Sequence, residues 1–113
     1  MKSLVKESKL FGTTLRTRTL IALAMVEESF PTELARLLES GLFPVQRVID
    51  ALEKESIVAT RKLGVERRVT LNPRYFAYKE FRALLLRLGE VDLQLKQTLE
   101  ARRARPRRRG KLL

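Results

Sequence analysis

Residues 31–55, PTELARLLESGLFPVQRVIDALEKE, contain two short helical patterns with a brief turn between them. Pro31 and Pro44 each suit the first position of a helix, where an N–H would have no intrahelical partner. The residues ESG at 39–41 indicate the turn. The apolar residues that recur at helical spacing are Leu34, Ala35, Leu37 and Leu38 in the first pattern and Val45, Val48, Ile49 and Leu52 in the second. Two helices joined so closely are typical of the helix-turn-helix motif, although a plain helical hairpin has the same periodicity.

A further helix is predicted ahead of this pair, over residues 14–26. Its many apolar residues indicate a mostly buried helix, and Gly12 separates it from residues 2–10, which we interpret as a short helix or an arm. Arg16 and Arg18 belong to this helix. The sequence does not decide whether they face a partner subunit or a phosphate.

The residue pattern changes from helical to strand-like after the helix-turn-helix. Residues 57–62 and 66–71 are rich in β-branched side chains, and LGV at 63–65 lies between them. This pattern predicts a β-hairpin in which Gly64 takes a positive φ. The basic residues of the hairpin are Arg61, Lys62, Arg67 and Arg68. A helix-turn-helix followed at once by a basic hairpin identifies a fold more specifically than either part does alone.

One long helix is predicted after the hairpin, since Asn72 and Pro73 suit its N-cap and first turn. Its apolar residues alternate spacings of four and three, as in a coiled-coil seam: Ala77, Phe81, Leu84, Leu88, Val91 and Leu95. Gly89 is a weak point that marks a bend or a close approach of another helix. The seam needs a partner, so we predict a homodimer interface of Phe81, Leu84, Leu88, Val91 and Leu95. The alternative is packing against the first helix of the same chain.

The composition excludes several kinds of chemistry. The 113 residues include 24 Lys and Arg against 13 Asp and Glu, a net charge of +11, and no Cys or His. Disulfides, thiolate metal sites and the commonest general base are therefore excluded. The carboxylates are scattered along charged helix faces without an orienting partner. We expect no enzymatic activity, no metal site and no cofactor.

The basic charge is concentrated at the C-terminal end. Residues 102–113, RRARPRRRGKLL, hold seven of the basic residues and no acid, which leaves residues 1–101 with a net charge of +4. We expect this tail to be disordered in the free protein and to attract a polyanion or only to aid solubility. The longest apolar run, residues 20–26, is too short to span a membrane, and no signal peptide is evident. A cytoplasmic protein without membrane contact is expected.

The order of helix, helix-turn-helix, hairpin and helix resembles the winged-helix fold, and specifically the ArsR-like transcriptional repressors. The resemblance covers roughly residues 10–75, in the segments LFGTTLRTRTLIAL at 10–23, ELARLLES at 33–40, VQRVIDALEKESIV at 45–58 and RRVTLNP at 67–73. The helix-turn-helix spacing recurs in MarR-like and other winged-helix families. Family members sense metals mainly with Cys, His and carboxylates, so the absence of Cys and His excludes thiolate and histidine sensing and leaves only an all-oxygen site. Ser56 stands where a helix-ending glycine is usual, which costs stability if the backbone there is left-handed.

The resemblance implies that the third helix lies in the major groove of duplex DNA. Gln46 can pair with adenine and Arg47 with guanine, while Asp50 can accept from cytosine or orient Arg47. Phosphate contacts are expected from the hairpin and the tail, at Arg61, Lys62, Arg67, Arg68, Arg102, Arg103 and Arg105. The residues that open the third helix, Leu42, Phe43 and Pro44, are included in the predicted DNA contact. Leu42, Phe43 and the outward Val48 either contact thymine methyl groups and sugar rings or form an apolar patch for a protein.

These expectations define a mainly helical α+β protein with a winged helix-turn-helix over residues 13–73. An N-terminal arm or short helix over 1–12 precedes it, and a dimerisation helix over 74–101 and a basic tail over 102–113 follow. The predicted function is a sequence-specific, double-stranded DNA-binding transcriptional repressor, which is nucleoid-associated when bound. Two rival functions stay open. One is a protein-interaction module that binds a toxin or a transcription component, and the other is an RNA-binding protein.

Overall fold

The computed structural model describes residues 8–104, with side chains as far as Arg102. The elements along this range are α1 (Thr14–Val26), α2 (Pro31–Leu37), α3 (Leu42–Lys54), β1 (Val58–Leu63), β2 (Glu66–Leu71), α4 (Tyr78–Gly89) and α5 (Leu93–Ala104). The two strands form an antiparallel hairpin. The predicted α+β class is therefore confirmed. No helix in the described range is long and apolar enough to cross a membrane.

Both predicted terminal segments lie mostly outside the described residues. Of the predicted arm, only residues 8–12 are described, and they form a turn ahead of α1. Of the predicted tail, residues 102–104 are described, and they continue α5. The boundary between helix and tail therefore falls later than predicted.

The centre of the core is α1, which begins and ends where the sequence predicts. Thr13 caps it, because its Oγ1 accepts a hydrogen bond from the backbone N of Arg16 at 3.0 Å. Leu20, Ile21 and Leu23 are buried, since α2, α3, α4 and β2 all pack against this helix. A helix covered on most sides needs apolar residues almost all round, which explains its weak amphipathic pattern.

The two helices of the predicted helix-turn-helix are present, with one correction. Pro31 lies in the first turn of α2 as predicted. α3 begins at Leu42 rather than at Pro44, with Gly41 as its N-cap. The earlier start is possible because the first N–H groups of a helix have no intrahelical acceptor, so Pro44 loses no hydrogen bond.

The hairpin matches its prediction closely. Gly64 has a φ of 64° at the turn between β1 and β2. Ser29 joins the hairpin as an isolated bridge: its N donates to the Val69 carbonyl at 3.0 Å, and the Val69 N donates back at 2.9 Å. This bridge attaches the segment before α2 to the middle of β2.

Ser56, which follows α3, has a φ of 62°, so the left-handed backbone that makes a serine costly at this position is present. We expect Ser56→Gly to raise the free energy of unfolding by about 0.5–1 kcal/mol. Relief of left-handed strain outweighs the greater flexibility of glycine in the unfolded chain. Urea unfolding measures the change. Ser40→Gly is the control, because Ser40 has no positive φ. An equal response of both serines would contradict the prediction.

The prediction of one continuous C-terminal helix is wrong. Asn72 does not cap a helix but forms a tight turn, with its Oδ1 accepting from the Arg74 N at 3.0 Å. α4 begins only at Tyr78. It ends at Gly89, and α5 starts after a break at residues 90–92.

Gly89 marks both a bend and a close approach, the two roles predicted for it. A Cβ atom at Gly89 would lie 2.8 Å from Met25 Sδ and 3.2 Å from Ile21 Cγ2, so α4 is pressed against α1 here. Asp92 begins the next helix, because its Oδ1 accepts from the Leu95 N at 3.2 Å. The break interrupts the heptad seam, and Leu95 is buried in the chain's own core. Leu95 is therefore not a dimer contact in this fold.

A buried ion pair attaches α5 to the rest of the molecule. Arg18 Nε donates to Asp92 Oδ2 at 2.7 Å, and a terminal nitrogen of Arg18 donates to Asp92 Oδ1 at 3.1 Å. The same guanidinium donates to Gln94 Oε1. Gln94 Nε2 in turn donates to the Leu37 carbonyl at 3.2 Å. Arg18 thus faces neither a partner subunit nor a phosphate, but links α1, α2 and α5 inside the chain.

Candidate nucleic-acid interface

The outward face of α3 presents a mixture of apolar and polar side chains. Phe43 is 66% exposed, and Leu42, Arg47 and Asp50 are also exposed. The Arg47 guanidinium lies over the Phe43 ring, 5.6 Å from its centroid. This arrangement holds an uncompensated cation on the exposed surface of the helix.

Three predicted residues at α3 differ in their exposure. Gln46 is half-buried and Pro44 is exposed. Val48, which was predicted to face outward, is partly buried against the core, so this prediction is wrong. Its Cβ lies one turn from that of Val45 and Leu52, which are buried, and this places it at the edge of the apolar face.

Arg67 of the hairpin is held by two carboxylates of α3. Its terminal nitrogen lies 2.8 Å from Asp50 Oδ1 and 3.0 Å from Glu53 Oε1. Thr60 Oγ1 donates to the other Glu53 oxygen at 2.5 Å. Asp50 therefore pairs with Arg67 and does not orient Arg47. These contacts fix the hairpin across the exposed side of α3.

Arg68 and Arg61 lie near Glu28, which precedes the Ser29 bridge. Arg68 Nε is 3.9 Å from Glu28 and 3.2 Å from Glu66, but it is buried and makes no hydrogen bond with either carboxylate. Its guanidinium also lies 5.7 Å from the centroid of Phe30. Arg61 is more exposed and lies 3.7 Å from Glu28. Both arginines are thus partly compensated within the chain.

Several cations have no carboxylate partner within the described residues. Lys62 and Arg47, both predicted contacts, are among them. Two others near α3 are Arg36, in the last turn of α2, and Lys54, in the last turn of α3. Neither residue is among the contacts predicted from the sequence. Lys54 lies two turns after Arg47, and this helical spacing was the available signal.

The tip of the hairpin is apolar rather than basic. Val65 is fully exposed and Leu63 is exposed beside it. A cavity of about 330 Å³ separates Val65 from the start of α2 and from Leu42 and Gln46 of α3. Val65 and Leu42 thus line the same cavity, and Phe43, which follows Leu42, is exposed.

The first residue of the predicted basic tail, Arg102, lies beside α2. Arg102 is 2.6 Å from Glu33 Oε2, and Ser29 Oγ donates to the other oxygen of Glu33. Ser29 is the residue that bridges to β2. The end of α5 is therefore close to the segment that precedes α2 and bridges to β2. Of the other predicted tail contacts, the side chain of Arg103 and all of Arg105 lie outside the described residues.

Two of the predicted dimer residues, Phe81 and Leu88, pack within the chain. Phe81 packs edge-on against Phe11, with ring centroids 5.4 Å apart, and Leu88 packs against the core. Leu84 and Val91 are exposed at 43% and 44%. Phe81 and Leu88 thus pack within the chain, and the contact of Phe81 is with a residue that precedes α1.

Within the described range, no group of three Asp, Glu, His or Cys side chains is placed to hold a metal ion. No protein-family model, curated protein or solved structure gives a significant match to this chain. The resemblance to ArsR-like repressors therefore rests on the residues quoted for it.

Proposed function

We propose that this chain is a winged helix-turn-helix protein that binds double-stranded DNA through α3 and regulates transcription as a repressor. The observation that carries the proposal is the exposed face of α3 beside the hairpin. It presents Arg47 without a carboxylate partner, next to Gln46. A helix of this length fits the major groove, where arginine pairs with guanine and glutamine with adenine.

Phosphate attraction would come mainly from the cations that have no carboxylate partner. Lys54 follows Arg47 along α3, and Lys62 lies in the hairpin. Arg67 would contribute less than predicted, because Asp50 and Glu53 already neutralise it. The basic residues of the tail would supply further charge. On this proposal, affinity and base discrimination arise from different parts of the chain.

The experiment begins with selection of bound fragments from random duplex DNA. Arg47→Ala is then expected to weaken binding to the selected sequence by about 10–100-fold, because one bidentate base contact is lost. Binding to mixed-sequence duplex should change much less. Fluorescence anisotropy between about 50 and 200 mM salt measures both. Arg87→Ala is the matched control, since Arg87 is an exposed arginine of α4 that pairs with Glu90.

Three outcomes would contradict the proposal in different ways. Absence of duplex binding at low salt would reject DNA binding altogether. An equal loss on selected and mixed duplexes would make Arg47 a phosphate contact without base reading. Tighter binding to structured RNA than to any duplex would favour the RNA-binding alternative. The homodimer stays a prediction, which sedimentation at micromolar concentration measures directly.

A second function is favoured by the apolar surface of Phe43, Leu42 and Val65. Exposed aromatic and aliphatic groups that lie together are typical of sites where proteins bind one another. Such an interaction would depend little on salt, whereas binding to DNA through cations weakens steeply as salt rises. The salt titration therefore distinguishes a protein-interaction module from a DNA-binding protein.

A further inference from the structure

A cavity of about 490 Å³ lies between α1, the end of β2 and the first half of α4. It is separate from the exposed face of α3, because none of its lining residues belongs to that helix. The volume is within the range of about 300–1,000 Å³ that is usual for small-molecule sites. Its floor and its rim differ in chemistry.

The floor is aliphatic and rigid. Leu23 of α1 and Leu71 of β2 are both buried in the core. Leu86 of α4 is partly buried and packs against the same core. Leu86 supplies the accessible part of this apolar floor, above the two buried leucines, which favours a ligand with a hydrocarbon body.

The rim carries two cations and one carboxylate. Arg82 lies 3.4 Å from Glu27 Oε2, and Glu27 is 74% exposed. Lys79, also on the rim, has no carboxylate partner within the described residues. A long ion pair with an exposed carboxylate is weak, because water screens it. The rim therefore has a net positive charge and an arginine whose present partner is easily replaced.

We propose that this cavity binds a small monocarboxylate with an apolar body. The hydrocarbon would lie against Leu86, above the buried Leu23 and Leu71, and the carboxylate would take the place of Glu27 at Arg82. Arginine suits this role because its planar guanidinium can donate two parallel hydrogen bonds to one carboxylate. Lys79 adds a second positive charge. The proposal does not depend on whether α3 binds DNA.

The test uses the full chain in the absence of nucleic acid, with sodium octanoate as the probe. Backbone amide shifts in ¹H–¹⁵N spectra should move at Leu23, Thr70 and Ala83, all of which line the cavity. The expected dissociation constant is of the order of 1 mM, as for a ligand of about ten heavy atoms. Octan-1-ol, which has the same hydrocarbon chain without the charge, should bind about tenfold more weakly. Sodium phosphate, which has charge without hydrocarbon, should not move these amides.

Two substitutions at the rim should change the affinity in opposite directions. Arg82→Gln removes the bidentate partner and should weaken octanoate binding about tenfold. Glu27→Gln removes the competing carboxylate and should strengthen binding severalfold. Arg87→Gln is the control, since Arg87 is on the same helix but does not line the cavity. It should bind octanoate as the unmodified chain does.

Clear results would overturn the proposal. Equal affinity for octanoate and octan-1-ol would show an apolar cleft without carboxylate recognition. Shifts caused equally by phosphate would show a simple anion site. Loss of binding in Arg87→Gln as great as in Arg82→Gln would show non-specific attraction to a basic surface. Absence of shifts at about ten times the expected dissociation constant would show that the cavity does not bind this class of ligand.

Discussion

Replacing Asp92 by alanine is expected to lower the free energy of unfolding by about 3–5 kcal/mol. The side chain of Asp92 is fully buried, and that of Arg18 is 7% exposed. The substitution leaves the guanidinium charge in the core without its carboxylate. It also removes the acceptor that caps α5 at the Leu95 N. Urea unfolding followed by circular dichroism measures the loss.

The control for this prediction is Glu90→Ala. Glu90 is only two residues away and pairs with Arg87, but both side chains are largely exposed. Its removal should change stability by no more than about 0.5 kcal/mol. The double variant Arg18→Met with Asp92→Asn should recover part of the loss, because it buries no isolated charge and keeps a cap acceptor. If Asp92→Ala lowers the free energy of unfolding by no more than Glu90→Ala does, the ion pair does not hold α5.

Deletion of residues 105–113 is expected to weaken binding to mixed-sequence duplex by up to about a hundredfold at low salt. The deletion starts after α5, so Arg102 keeps its contact with Glu33. It removes five basic residues and no acid. The slope of log affinity against log salt should therefore become shallower by up to about four. Fluorescence anisotropy at several salt concentrations measures both quantities.

A second variant distinguishes the effect of the tail's charge on DNA binding from the effect of its length. Replacement of the same five basic residues by glutamine should weaken binding as much as the deletion does, because the effect is electrostatic. The loss should be similar for all duplex sequences, and the midpoint of urea unfolding should not change. A loss confined to one sequence would mean that the tail reads sequence or groove shape, which contradicts non-specific attraction.

Local sequence patterns were sufficient to predict the backbone conformation wherever it depends on neighbouring residues in the chain. The bounds of α1 follow from its apolar run and from the Thr13 cap. Gly64 takes the positive φ predicted for a tight turn, and Ser56 takes a positive φ where a helix-ending glycine is usual. In each case the backbone conformation is decided within a few residues.

Only Gly89 signalled the break between α4 and α5, as a bend or a close approach within one predicted helix. The heptad spacing continues across it, so the pattern favoured one helix. The break depends on Asp92, whose partner Arg18 lies 74 residues earlier. A charged residue in a helical pattern is usually solvated, and only the folded chain shows that this one is buried.

The candidate interface was predictable in position but not in charge. The exposure of Phe43, Arg47 and Asp50 follows from the helical spacing of α3. The pairing of Asp50 and Glu53 with Arg67 does not, because it depends on how the hairpin lies across α3. Each of these ion pairs reduces the charge that the sequence assigns to the hairpin.

The carboxylates around Arg67 have a kinetic consequence if α3 enters the major groove as proposed. A phosphate that approaches Arg67 also approaches Asp50 and Glu53, so attraction and repulsion nearly cancel there. Non-cognate DNA would then be held by the tail and by Lys54 and Lys62, with little help from Arg67, and the folded part would dissociate from it rapidly. A correct base at Arg47 would lengthen the residence time of the complex. The ion pairs that hold the hairpin would in this way speed the search along DNA and leave the choice of sequence to α3.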